Sequence, residues 1–261
     1  MNHSKDAVCF DNAPVVEVTV GIGFEALQCW DSAAPSAFLP RVPLDNPQIQ
    51  IQMPLAPLVF GAEGFQIAIG QGDIAPRTWY VTPDGSQLVQ IQNNRLHANW
   101  RKSGDEDTYP RFVKLKTLFD AVLKGLTQFA DERHEALRPT AFEMTYINHF
   151  ISGEIMNGFG DTPSVFRAWF APPRTDNEIT SIQGSYQMKL GEDAAISVQA
   201  NTARRVRDDR EIVVLNLTGT GRIAEFSQLD AAVDQVRRVQ LNIFRELTTV
   251  HAQSCWGIRN A

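Results

Sequence analysis

Between residues 108 and 130, apolar side chains fall at Phe112, Leu115, Leu118, Phe119, Val122, Leu123, Leu126 and Phe129. This spacing of three and four describes one face of a helix. Lys114, Lys116, Asp120, Lys124 and Gln128 take the opposite face. Pro110 fits a first helical turn, and the acidic run Asp105, Glu106, Asp107 stands where a helix dipole favours negative charge. The same spacing returns near the other end at Leu229, Ala232, Val233, Val236, Val239, Ile243, Leu247 and Val250, which predicts a second long helix.

Before each helix the period changes to two. Residues 15–24 place Val16, Val18, Val20, Ile22 and Phe24 on one side and Glu17, Thr19, Gly21 and Gly23 on the other, the pattern of a half-buried strand. Residues 25–57 carry six prolines, from Pro35 to Pro57, and read as loops with a short strand at 49–53. Runs at 77–82, 87–92 and 95–101, separated by Pro83-Asp84-Gly85 and Asn93-Asn94, predict an antiparallel meander. The second half opens with a strand at 141–151, with Phe142, Met144, Tyr146, Asn148 and Phe150 on one side. A strand at 165–170 and runs at 181–190, 194–202 and 211–219 follow.

Each half thus reads strand, irregular crossover, three-stranded meander, long helix. Glu17-Val18-Thr19-Val20 aligns with Glu143-Met144-Thr145-Tyr146. The expectation is an α+β fold, an antiparallel sheet carrying both amphipathic helices on one face, built from a pseudo-twofold duplicated unit. Residues 1–135 and 136–261 form its halves, joined in one compact body.

The composition narrows the function classes. The 261 residues carry a net charge of −6 and a pI near 5.4, which disfavours a dedicated nucleic-acid binder. Cys9, Cys29 and Cys255 have neither an even count nor a CxxC spacing, so no disulfide framework or structural zinc site is indicated and a reducing cytoplasm is expected. The first residues lack a signal-peptide pattern, and no apolar run approaches the roughly 20 residues of a membrane span.

Four segments, VVEVTVGIGF from Val15, TYPRFVKLKTLF from Thr108, YIN from Tyr146 and NIFRELTTV with a later WG from Asn242, together resemble a sporadically distributed family of uncharacterised bacterial proteins of about this length. The resemblance implies a bacterial accessory protein, compatible with a role in genetic conflict or defence. It supplies no activity and no catalytic residue.

Candidate chemistry is sparse. Gly21-Ile22-Gly23-Phe24-Glu25-Ala26 matches the GxGxxA dinucleotide spacing, but Pro35 arrives too soon for a sustained helix after it and no βαβ series follows, so a glycine-softened strand end is the expectation. His251 and Cys255 stand four apart at a helix end whose dipole disfavours a thiolate. His3, His97, His134 and His149 show no metal-ligand spacing. Arg204, Arg205, Arg207 and Arg210 crowd one hairpin, either a phosphate-binding cluster or a solvated tip neutralised by Asp208 and Asp209. Glu17, Thr19, Glu143, Thr145 and His149 share the polar side of the two matched strands. There the glutamates would approach for acid–base work, or simply face water. Asn148 falls on the core side and requires hydrogen-bond partners, whereas Trp79, Tyr80, Trp100 and Trp169 read as strand aromatics of the core.

The leading expectation is a non-enzymatic recognition or assembly module, with a protein partner or a second copy and without metal or cofactor. An enzyme using Glu17, Glu143 and His149, or a phosphate or nucleic-acid binder using the arginine hairpin, are the alternatives.

Overall fold

The computed structural model describes residues 9–58, 60, 75–104, 107–167 and 178–259. Its elements in chain order are β1 (Cys9–Phe10), β2 (Val15–Phe24), α1 (Ala34–Phe38), β3 (Gln48–Gln52), β4 (Arg77–Val81), β5 (Gln87–Gln92), β6 (Arg95–Arg101), α2 (Phe112–Asp131), β7 (Pro139–Ile151), β8 (Gln183–Lys189), β9 (Ala194–Arg204), β10 (Glu211–Arg222), α3 (Leu229–Leu247), α4 (Val250–Cys255) and β11 (Ile258–Arg259). Among the described residues nine strands form one antiparallel sheet in the order β3-β4-β5-β6-β2-β7-β10-β9-β8, and β1 pairs with β11 in a separate ribbon. The fold is therefore α+β.

β2 and β7, the two strands whose sequences align, pair at the middle of the sheet. Thr19 lies opposite Thr145, the very residue it aligns with in sequence. From this central pair each meander runs outward in the same order, β6-β5-β4 on one side and β10-β9-β8 on the other, with β3 as an extra edge.

Both long helices cover the same face. α2 lies on β2 and β6, α3 on β7, β9 and β10, and Lys116 of α2 reaches Asp230 of α3 at 2.6 Å. The strand side beneath them is buried and apolar: Val18, Val20 and Ile22 sit opposite Tyr146, Met144 and Phe142. Gly219 lets α3 come close, since a Cβ there would stand 2.0 Å from Val236 Cγ1. Gln240 of α3 then donates to the carbonyls of Met144 and Leu217, both at 2.8 Å. Asn148 is buried on this side as expected and donates to Leu215 O at 3.3 Å.

Several expectations require correction. α2 begins at Phe112, leaving Thr108 to Arg111 outside the helix; Pro110 disfavours a helical Tyr109, and Arg111 has φ 75° and ψ 151°. Asp107 accepts from Ser103 and Gly104 in its own loop instead of charging the helix start, while Asp105 and Glu106 lie outside the described residues. Lys116 belongs to the helix interface, not the free surface, held between Asp120 and Asp230. Val250 leaves the α3 stripe because Thr248 caps that helix in an extended conformation and Thr249 opens α4.

A register shift between Val15 and Glu17 buries Val15 and leaves Val16 half-exposed. The irregular crossover contains α1, whose Phe38 fills an aromatic cluster with Trp30 and Phe129 at 5.6 and 5.5 Å. Around 165–170, Phe166 forms a single bridge to Thr248 after a short 3-10 turn, and residues 168–170 lie outside the described set.

Candidate functional site

The face of the sheet away from the long helices is polar, and in the first half much of it is buried. Across three neighbouring strands His97, Gly21 and Glu143 form one row. A Cβ on Gly21 would stand 1.7 Å from His97 Cδ2, so the imidazole occupies the space a side chain would take. It thereby brings Nε2 within 3.6 Å of Glu143 Oε1, longer than a hydrogen bond. Gly23 plays the same part for Leu58, whose Cβ would be 3.0 Å from an added one. The Gly-Ile-Gly stretch is thus room for what covers the strand, not a nucleotide cradle.

A hydrogen-bonded chain runs beside this row on the same face. Arg77 donates to Gln90, Gln90 to Asn99, and Asn99 to Thr19 and Glu17, while Arg101 also reaches Glu17 at 3.3 Å. Over its edge, Arg95 donates to Ala56 O and Gln92 exchanges two hydrogen bonds with Leu55. The expected meeting of Glu17 with Glu143 does not occur. Antiparallel pairing about Thr19 and Thr145 sets Glu17 opposite Ile147 and Glu143 opposite Gly21, four residues apart, or roughly 13 Å. Glu143 has His97 as its partner instead, a contact the sequence signalled only through a glycine inside a strand.

Burial works against the charged form of both members of this pair. Burial drives the His97 pKa well below its ordinary value, and Arg95 and Arg77 push in the same direction. Burial raises Glu143, partly offset by Arg95. The unfolded chain protonates His97 near pH 6.5 whereas the folded chain does not, so stability falls as pH drops below that value, by up to about 1.4 kcal/mol per unit. His149, lowered by burial and by Arg205, contributes with the same sign. Glu143 opposes them, because a raised carboxyl pKa favours folding as pH falls towards its unfolded value. His97→Gln is therefore expected to flatten the urea-denaturation profile between pH 5 and 6.5; an unchanged slope would contradict the buried neutral imidazole.

A second site opens at the other end of β2 and β7. A cleft of about 870 Å³ is walled by the segment from Phe10 to Val16, by Lys102, Ser103 and the residues from Asp107 to Arg111, and by the end of β7 and the β9–β10 hairpin. Its charged lining comprises Lys102, Arg111, Arg205, Arg207 and Arg210 against Asp11, Asp107 and Glu154, with His149 and Trp256 between. The three acids are already engaged: Asp11 by Arg259, Asp107 by its loop, and Glu154 by Arg210. Lys102 and Arg111 are exposed, and neither has an ion-pair partner among the described residues. Arg111 is held at a φ that non-glycine residues seldom adopt, immediately before α2, which starts without a side-chain cap and without an acid in its first turn. The positive end of that helix thus adds to the cations. Beneath them Tyr109 packs tilted against Trp100 at 5.2 Å and meets Tyr146 edge-on at 6.5 Å.

The arginine hairpin divides between two roles. Arg204 pairs with Asp209 and Glu211, outside the cleft. Arg205 and Arg210 share Asp208, whose carboxyl they hold far below its usual range, Arg205 first. The tip is therefore largely neutralised from within, as its alternating charges suggest, while Arg205, Arg207 and Arg210 line the cleft wall. Sequence reasoning missed Lys102 and Arg111, which become part of one site only when the loop before α2 folds back towards the hairpin.

The remaining candidates carry less. Cys255 Sγ stands 3.9 Å from His251 Nε2, both exposed on the short α4. His134 is exposed just beyond α2, and His3 and Trp169 lie outside the described residues. Trp100 and Tyr80 are core residues, the latter donating to Pro35 O at 2.7 Å, whereas Trp79 is half-buried between Arg77 and Arg101 at 5.2 and 4.9 Å. Among the described residues no group of His, Cys, Asp or Glu is arranged to hold a metal ion, and no helix is long and apolar enough to cross a membrane. No family model, curated protein or solved structure matches the chain.

Proposed function

We propose that this protein is a non-enzymatic recognition module whose cleft takes an anionic group presented by a partner. The observation that carries the reading is the cleft's charge balance. In a chain of net charge −6, the lining acids are internally satisfied while Lys102 and Arg111 are available beside an uncapped helix start. Guanidinium and ammonium groups around an open helix N-terminus suit a carboxylate or phosphate. Three segments behind the family resemblance, those containing Val15, Tyr109 to Phe112 and Trp256, border or adjoin this cleft. The resemblance itself favours a bacterial accessory protein, with genetic conflict or defence as its setting, the cysteine pattern favours a reducing cytoplasm, and the shared strand order of the two halves supports reading them as copies of one unit.

Binding of the protein to a phosphate-bearing matrix tests the reading. Wild type is expected to be retained at low salt and released as salt rises. Replacing Lys102 and Arg111 together by Ala should weaken retention about tenfold or more, the equivalent of roughly 1.4 kcal/mol. Arg204→Ala should leave it unchanged, because that guanidinium is committed to Asp209 and Glu211 outside the cleft. Loss of retention on Arg204→Ala alone would return the site to the hairpin tip, and no retention at low salt would exclude the cleft.

A second reading rests on the space left by Gly21. A histidine and a glutamate of opposed pKa shifts, 3.6 Å apart, are a pairing that acid–base chemistry uses. Glu143→Gln abolishing a function that the cleft variants leave intact would favour it.

A further inference from the structure

β3 forms one end of the sheet, and among the described residues nothing pairs with its outer side. Such an edge is ordinarily blunted by charge, proline or a bulge. Here Gln48-Ile49-Gln50-Ile51-Gln52 contains none of these, with Pro47 and Pro54 confined to its flanks. Ile51 is 61% exposed and Met53 81%. The opposite edge is different, since β8 contains Gly184 and ends on Lys189.

We propose that β3 joins a second copy of this chain, edge to edge and antiparallel, about a twofold axis at Gln50. The five residues read identically in both directions, so the axis leaves no mismatch. Gln50 faces its own copy, Gln48 faces Gln52, and Ile49 faces Ile51. Antiparallel strands alternate their faces in step, so the isoleucines meet on one side and the glutamines on the other. Extended by the existing register, one side reads Tyr80, Ile49, Ile51, Thr78 across the joint and the other Trp79, Gln50, Gln50, Trp79. The charge pattern favours this route for self-association. Two copies of a chain of net charge −6 repel each other, but the segment from Asn46 to Ala56 bears no charge. The isologous pairing also closes on itself, so it yields dimers and not filaments.

The size of the contact sets the expected affinity. Five residues per copy fall well short of the roughly 20 to 30 per side of a standard interface, so the dimer forms in the range of tens to hundreds of micromolar.

Cysteine pairing reads the register directly. Opposed residues in an antiparallel pair have Cα atoms about 4.5 to 5.5 Å apart, within disulfide reach. Under mild oxidation Gln50→Cys is expected to cross-link to itself. Gln48→Cys and Gln52→Cys should each remain at the wild-type level alone and cross-link when mixed. In sedimentation, Ile51→Lys, an exposed change that leaves the core intact, should weaken the dimer more than tenfold. A wild-type chain that stays monomeric to several hundred micromolar, a Gln50→Cys yield no higher than that of Gln48→Cys, or an Ile51→Lys variant that dimerises as well as wild type would each overturn the proposal.

Discussion

Gly21→Ala is expected to destabilise the protein by about 2 to 3 kcal/mol, although the change adds one methyl group to a strand. Alanine is ordinarily the better strand residue, because glycine loses more backbone freedom on folding. At this position the methyl would meet His97 Cδ2 at 1.7 Å, and the imidazole, 4% exposed, has nowhere to go. Forcing extra volume into such a site displaces side chains and backbone. The cause can be isolated with a double-mutant cycle in urea. In a His97→Ala background the same glycine change should be neutral or slightly stabilising. An equal penalty in both backgrounds would show that the glycine serves its own backbone conformation and not the His97–Glu143 contact.

Phe119→Ala should cost about 3 to 5 kcal/mol, the usual range for a fully buried phenylalanine whose neighbours cannot collapse into the gap. Leu118, half-buried on the margin of the stripe, should cost less. Lys116→Ala should cost roughly 0.5 to 1 kcal/mol, because its stem is largely covered and its ammonium ties the two helices together. Val113→Ala, on the outward face, should be close to silent. A Phe119 penalty no larger than that of Val113 would mean that α2 presents a different face to the sheet.

What could be read from sequence follows from which interactions are local. The periods of 3.6 and 2.0 are local properties, so α2, α3 and the strands of both meanders appear close to their predicted places. The match of Glu17-Val18-Thr19 with Glu143-Met144-Thr145 even anticipates which residues meet, since Thr19 and Thr145 lie opposite each other. Its consequence was not legible. Facing two aligned strands antiparallel brings only the central residues together and moves flanking equivalents apart, which is why Glu17 and Glu143 do not meet.

His97 and Gly21 are 76 positions apart in sequence, and only the β2–β6 register unites them. Short elements stabilised by packing were missed for a related reason. α1 is five residues long and owes its place to Phe38 among Trp30, Tyr80 and Phe129. The helix entry at Tyr109-Pro110-Arg111-Phe112 was conspicuous in sequence, but its positive-φ arginine is a tertiary feature, set where the loop turns from the cleft into α2.

Titration of isotope-labelled protein with inorganic phosphate, followed by amide and imidazole NMR, tests the anion-binding cleft most directly. The shifts are expected to concentrate on the amides of Arg111, Phe112 and Val113, on Lys102, and on the His149 ring, with smaller changes at Arg205 to Arg210. They should diminish with salt and disappear in the Lys102→Ala, Arg111→Ala double variant. Shifts confined to the hairpin tip, spread over the polar face of β8 and β9, or absent at millimolar phosphate in low salt would contradict the account.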